Sequence, residues 1–85
     1  MASVTLKVLS EMTTLSAGTL RVYLSHYTLN KYRVVVKNEK GHRCQGYTLS
    51  YGFLNAFENY LTVLKGKRYA KRILQLMEEY KGNIQ

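Results

Sequence analysis

The stretch Thr5–Leu29, TLKVLSEMTTLSAGTLRVYLSHYTL, decides how the chain folds. Within it Leu6, Val8, Leu9 and Met12 recur at three- and four-residue spacing, and Thr5 stands where its hydroxyl can accept from a free amide. The spacing predicts a helix of about two turns over residues 5–12. Thr13 and Thr14 then break the pattern. Ser16 is placed to cap a second helix over Ala17–Ser25, in which Leu20 and Leu24 share one side and Ala17, Gly18, Arg21 and Ser25 are left outward. Two short helices joined by a tight turn, the second opening with small residues and carrying an exposed arginine, make a rod that fits a groove.

Beyond this segment the residues Tyr32–Lys37, YRVVVK, form a β-branched run, followed by Asn38-Glu39-Lys40-Gly41 and a second expected strand over His42–Leu49. A four-residue connection ending in glycine between two such runs signals a hairpin. Lys37, Lys40, His42 and Arg43 gather at its tip, which makes the hairpin a candidate wing. Ser50 is positioned to cap a third helix, Tyr51–Leu64, whose wide apolar side of Phe53, Leu54, Phe57, Tyr60, Leu61 and Leu64 is expected at the centre of the core. Lys65-Gly66-Lys67 makes a turn. A fourth helix is predicted from Arg68 to Lys81, with Tyr69, Ile73, Leu76, Met77 and Tyr80 on its apolar side and a left-handed stop at Gly82.

Eighty-five residues support one core, so a single domain over residues 1–85 is expected rather than a pocket walled by two. With 46% hydrophobic and 21% charged residues the composition is globular, and no apolar run approaches the roughly 20 residues of a membrane span. Met1–Val8 has no basic opening, apolar stretch or small-residue cleavage site, and Cys44 has no partner for an intrachain disulfide. Both point to a cytoplasmic setting and a free thiol. Thirteen Lys and Arg against five Asp and Glu give a net charge of +8. A field that large on so small a body favours a polyanionic partner: nucleic acid first, an anionic membrane surface second, with plain solubility as the bland reading.

Thr5–Leu29 also resembles the N-terminal DNA-binding domain of the MerR family and of the related phage and transposon excisionases. Ser16 followed by TLRVY, Thr19–Tyr23, is similar to that family's Thr-Leu-Arg-x-Tyr, at the expected distance from the first helix. The candidate wing and the following helix arrive in the family's order. Thr14 stands where the family usually has a turn glycine, Val22 replaces a frequent aromatic, and no proline follows Leu29. The long dimerising helix and effector domain of full-length MerR regulators are missing, so the resemblance is nearer to a small excisionase-like protein of a phage or plasmid than to a metal or drug sensor. It implies that Arg21 and Tyr23 lie at the DNA surface; packing against the wing is the alternative for Tyr23.

Other chemistry is thin. His42 and Cys44 are half of a metal site at most, since His26 is the only other histidine and no second cysteine exists. Glu78 and Glu79 are adjacent and diverge by about 100° on a helix, so they cannot face one another as a catalytic pair. No nucleophile is matched to a histidine and an acid, and no glycine-rich phosphate loop occurs. No enzyme, cofactor, metal or small-molecule effector is expected. Lys65, Lys67, Arg68, Lys71 and Arg72 surround the turn into the last helix, where they could hold phosphates flanking a groove or simply be solvated. Eight tyrosines among basic residues would also suit single strands, but Tyr51, Tyr60, Tyr69 and Tyr80 fall at helix-face positions that suit a core or dimer surface.

The expectation is therefore a mainly α winged helix-turn-helix with a two-stranded wing and two further helices, binding double-stranded DNA in the service of transcription or recombination of a mobile element. Contacts are expected from Ser16, Ala17, Gly18, Thr19, Arg21, Tyr23 and Ser25 of the second helix, from Lys37, Lys40, His42 and Arg43 of the wing, and from Lys67 and Arg68. One such unit reads few base pairs, so a homodimer through the last helix, or cooperative binding to repeats, is also expected. Plasmid partition at a centromere-like array and a phage-encoded inhibitor of a host factor are the alternatives.

Overall fold

Ser16 settles the start of the second helix: its Oγ accepts the Thr19 amide at 3.1 Å and donates to Thr19 Oγ1 at 2.9 Å. The computed structural model describes residues 3–84, with side chains through Tyr80. Met1 and Ala2, part of the segment read for a leader, lie outside the described residues. The elements run β1 (Ser3–Thr5), α1 (Leu6–Thr13), α2 (Ala17–Leu24), α3 (Tyr27–Asn30), β2 (Arg33–Lys37), β3 (Arg43–Thr48), α4 (Tyr51–Lys65) and α5 (Lys67–Ile84). The protein is thus mainly helical, with a small antiparallel sheet. No helix among the described residues is long and apolar enough to cross a membrane.

The expected caps hold. Thr5 Oγ1 accepts the Val8 amide and Ser50 Oγ accepts the Phe53 amide, each at 3.1 Å, satisfying donors that a helix start leaves free. The connection between α1 and α2 is fixed from within: buried Thr13 donates its hydroxyl to the Leu9 carbonyl at 2.7 Å and accepts the Leu15 amide at 3.3 Å. Ser10 adds a hydrogen bond to the Leu15 carbonyl. Between these ties Thr14 is held at φ 62°, ψ 10°, a left-handed conformation that costs a β-branched residue energy and that glycine adopts freely.

Three features differ from the sequence expectation. The sheet has three strands, in the order β1-β3-β2, because Ser3–Thr5 pairs with the outer edge of the hairpin (Ser3 opposite Thr48, Thr5 opposite Gly46). A one-turn helix, α3, follows α2, its start capped by His26, whose ring nitrogen accepts the Thr28 amide. The last helix continues through Gly82 to Ile84; a single glycine costs a helix about 1 kcal/mol, which is not enough to end one.

The core lies where α4 crosses the sheet and the other helices. Phe53, Phe57 and Leu61 are buried along one side of α4. The Tyr47 and Phe53 rings stack with centroids 5.8 Å apart, Phe53 and Phe57 do the same at 5.8 Å, and Tyr32 meets Phe53 edge-on at 5.7 Å. Leu9, Met12, Leu20, Leu24 and Leu29 close over them, as do Ala70, Ile73 and Met77 of α5. Leu64, expected in this core, is exposed. The apolar side of α5 is taken up inside the molecule, with Tyr69, Leu74, Leu76 and Tyr80 packed partly buried against the same cluster. The apolar side of α5 thus belongs to the core of the single chain.

Candidate nucleic-acid interface

Helix α2 shows solvent a stripe of Gly18, Arg21, Val22 and Ser25, the i, i+3, i+4, i+7 pattern of one helical side. Leu20 and Leu24 are buried behind it. Ala17, expected outward, is half-buried, and Val22 takes its place on the exposed side. Arg21 and Tyr23 do not share a face, since residues two apart on a helix point about 200° from each other. Tyr23 instead packs on α4, its ring centroid 5.6 Å from that of Tyr60. Burial, with the Tyr23 phenol nearby, pushes the Tyr69 phenol upward, against the opposing pull of the Arg72 charge.

The sheet carries the second part of the site. Its register sets Arg33 opposite Tyr47, Val35 opposite Gln45 and Lys37 opposite Arg43, and directly opposed residues of an antiparallel pair project to the same side. One side of the hairpin therefore bears Arg33, Lys37 and Arg43, with Val35 and Gln45 between them, and these residues are exposed. Tyr47, at the base of the same side, is buried and accepts from the Gln45 amide at 2.9 Å. The other side holds Val34, Val36 and Gly46.

Arg21 joins the two parts. It lines one surface groove with Lys37, Asn38 and Gln45, and a second with Ser25, Asn30, Arg33 and Gln45. The arginine of α2 and the basic side of the hairpin thus border common concavities. At the tip, Asn38 Oδ1 accepts the Lys40 and His42 amides at 2.9 and 3.0 Å, and Gly41 turns the chain at φ 78°. Lys40 and His42 are left exposed at the end of a well-fixed turn.

The charge on this surface is mostly unpaired, with Glu39 the acid that lines the groove of Arg21 and Lys37. Among the described residues one ion pair forms, Lys7 with Glu39 at 3.5 Å, and both side chains are exposed. Glu39 is thus already turned to Lys7 of α1. Arg21, Arg33, Lys37, Lys40 and Arg43 have no carboxylate within ion-pair distance among the described residues.

Of the expected contact residues, the structure brings together Arg21, Ser25, Lys37 and Arg43, with Gly18 on the same helical stripe and Lys40 and His42 at the tip. Ser16 and Thr19 are engaged with each other at the helix start. Lys67 and Arg68 do not join them: they border a groove with Lys71, Arg72 and Gln75 that shares no residue with those of Arg21. Sequence reasoning missed Arg33, Gln45, Val22 and Val35. The alternation Arg33-Val34-Val35-Val36-Lys37 was the available signal, because it puts both cations on one side of a strand. His42 and half-buried Cys44 gain no third ligand, and no group of three His, Cys, Asp or Glu side chains assembles among the described residues.

No protein-family model, curated protein or solved structure matches this chain at a significant level.

Proposed function

We propose that this protein binds double-stranded DNA as a winged helix-turn-helix, with α2 in the major groove and the β2–β3 hairpin, the wing, along the adjacent backbone. The observation that carries the reading is that Arg21 shares one groove with Lys37 and another with Arg33, with Arg43 directly opposite Lys37 on the hairpin and none of the four in an ion pair among the described residues. Unpaired cations of one sign on one surface are a standing electrostatic cost that phosphates relieve, and counterion release adds to the gain. Helix α2 suits the groove because its exposed stripe has a glycine, a serine and a valine around one arginine. The small residues allow close approach, valine suits a thymine methyl, and a guanidinium can bind guanine in bidentate fashion.

Thr14 supports the same reading. It adopts the left-handed conformation at the position where the MerR-like and excisionase-like domains resembled by this sequence have a turn glycine. That resemblance also underlies the proposed role in transcription or recombination of a mobile element. Partition would use the same contacts on a repeat array.

The test is selection of bound fragments from a random duplex pool, followed by salt titration on the selected site with the wild type and Arg21→Ala. Support would be a defined site, affinity falling with salt at a log–log slope of about −0.9 per phosphate neutralised, and a large loss on substitution. No enrichment, together with a salt-insensitive protein complex indifferent to Arg21, would favour the inhibitor reading instead.

A further inference from the structure

Val22 is the large apolar side chain on the outer stripe of α2, and it is 67% exposed. A lone apolar residue at a surface ordinarily needs no explanation, but the setting of this one is specific. Folding does not select it: a β-branched side chain is restricted against the preceding turn, and valine is a poorer helix former than alanine, leucine or lysine. The residues around it are small or already engaged. Gly18, one turn before, has no side chain, and the space a Cβ would occupy there is open. Ser25, one turn after, donates its hydroxyl proton to the Val22 carbonyl at 2.7 Å. That leaves Arg21 and Val22 to present the chemistry of the stripe, one a planar donor and the other an apolar knob.

We infer that Val22 is a specificity-determining residue, packing against the 5-methyl group of a pyrimidine next to the guanine taken by Arg21. The inference rests on the proposed binding of duplex DNA by α2 and deepens it. Consecutive Cα atoms are about 3.8 Å apart, close to the roughly 3.4 Å step between stacked base pairs. Two adjacent residues of a helix lying in the major groove therefore address the same or neighbouring pairs. In that groove guanine offers two acceptors to a guanidinium, and the apolar feature among the base edges is the methyl on C5 of thymine. A methyl on C5 of cytosine is the same knob, so thymine and 5-methylcytosine are the two sources of this chemistry. Against any other base the valine would strip water from a polar edge and return no hydrogen bond, so it discriminates by exclusion as well as by contact. The bare position at Gly18 lets the DNA come close enough for the isopropyl group to touch.

Selection of the full chain against two random duplex pools tests this, one unmodified and one methylated at cytosine C5 in every CpG step. Enrichment of thymine beside a fixed guanine in the first pool supports thymine as the source; enrichment of CpG in the methylated pool alone supports 5-methylcytosine. A site with a fixed guanine and neither neighbour overturns the inference and leaves duplex binding in place, whereas no enriched sequence in either pool overturns both. On the enriched site the methyl is then removed, by deoxyuridine for thymidine or cytosine for 5-methylcytosine, and both duplexes are titrated with the wild type and Val22→Ala. Loss of one methyl contact corresponds to about fourfold in affinity. The wild type is expected to lose about that much, and Val22→Ala, in which the contact has already gone, less than about twofold. Equal losses in the two proteins would overturn the inference. Alanine is the better helix former at an exposed position, so the variant is expected to keep the circular dichroism of the wild type and to melt no lower.

Discussion

Lys37 and Arg43 stand directly opposite each other across the β2–β3 ladder, two exposed cations on one side of a hairpin, neither in an ion pair among the described residues. Folding alone would not choose this pair, since like charges in register oppose strand pairing by up to about 1 kcal/mol. Lys37→Glu should therefore stabilise the isolated protein by about that much, seen as a melting temperature higher by several degrees. The same change should weaken DNA binding. A thermal melt and a binding titration on one preparation check both, and a loss of stability would count against the reading of the sheet.

Arg21 and Arg33 should fail differently. Arg21→Ala is expected to cost about 1–3 kcal/mol on the selected site and to blur the preference there, as removal of a base contact does. Arg33→Ala, on the hairpin, should weaken all duplexes alike and reduce the salt slope by about one phosphate. Competition assays with specific and random duplexes separate the two patterns.

Thr14→Gly should raise stability. Relief of the left-handed threonine, of order 1–3 kcal/mol, outweighs the added freedom of glycine in the unfolded chain, about 0.5–1 kcal/mol. A net gain of about 1 kcal/mol in urea unfolding is expected, with DNA affinity unchanged.

Gly46→Ala should do the reverse. A Cβ at this buried position would lie 2.5 Å from the Val4 carbonyl oxygen and 2.6 Å from Val36 Cγ2. The oxygen belongs to the strand paired with β3 and cannot retreat without loosening that pairing. A loss of about 1–3 kcal/mol, usual for overpacking, should come with faster hydrogen exchange in β1.

The α1–α5 contact should weaken in alkali. Tyr80 donates to Glu11 Oε2 at 3.0 Å, and this hydrogen bond, with smaller additions from burial and the carboxylate charge, holds the phenol above its ordinary value. A phenol raised in the folded state contributes stability that is complete below the unfolded pKa of about 10 and disappears as pH rises through the folded value. Stability should accordingly fall above about pH 10, and Tyr80→Phe should flatten that part of the profile.

Much of this architecture was legible in the chain because it is written in short-range chemistry. Thr5, Ser16 and Ser50 cap the helices expected of them, and Asn38 to Gly41 form the turn between β2 and β3. What escaped depends on distant partners. Ser3–Thr5 has too few residues to show alternation and becomes a strand only because the edge of β3 is free to receive it. Helix α3 is a single turn, shorter than any periodicity can reveal. In the site, the Arg33–Lys37 alternation was readable, as was the angular separation of Arg21 from Tyr23. That Tyr60 would be waiting for Tyr23 was not, because the contact joins two helices far apart in sequence.

Thr5 is at once the last residue of β1, paired with Gly46, and the cap of α1. Strand passes into helix with no slack between them, so there is no hinge at which the sheet could swing against the helical pair. Rotation would have to undo a ladder position and a helix start in the same event. Whatever spans both parts meets a single stiff body with its ordering cost already met in folding, and any mismatch in curvature is left for the partner to absorb by bending.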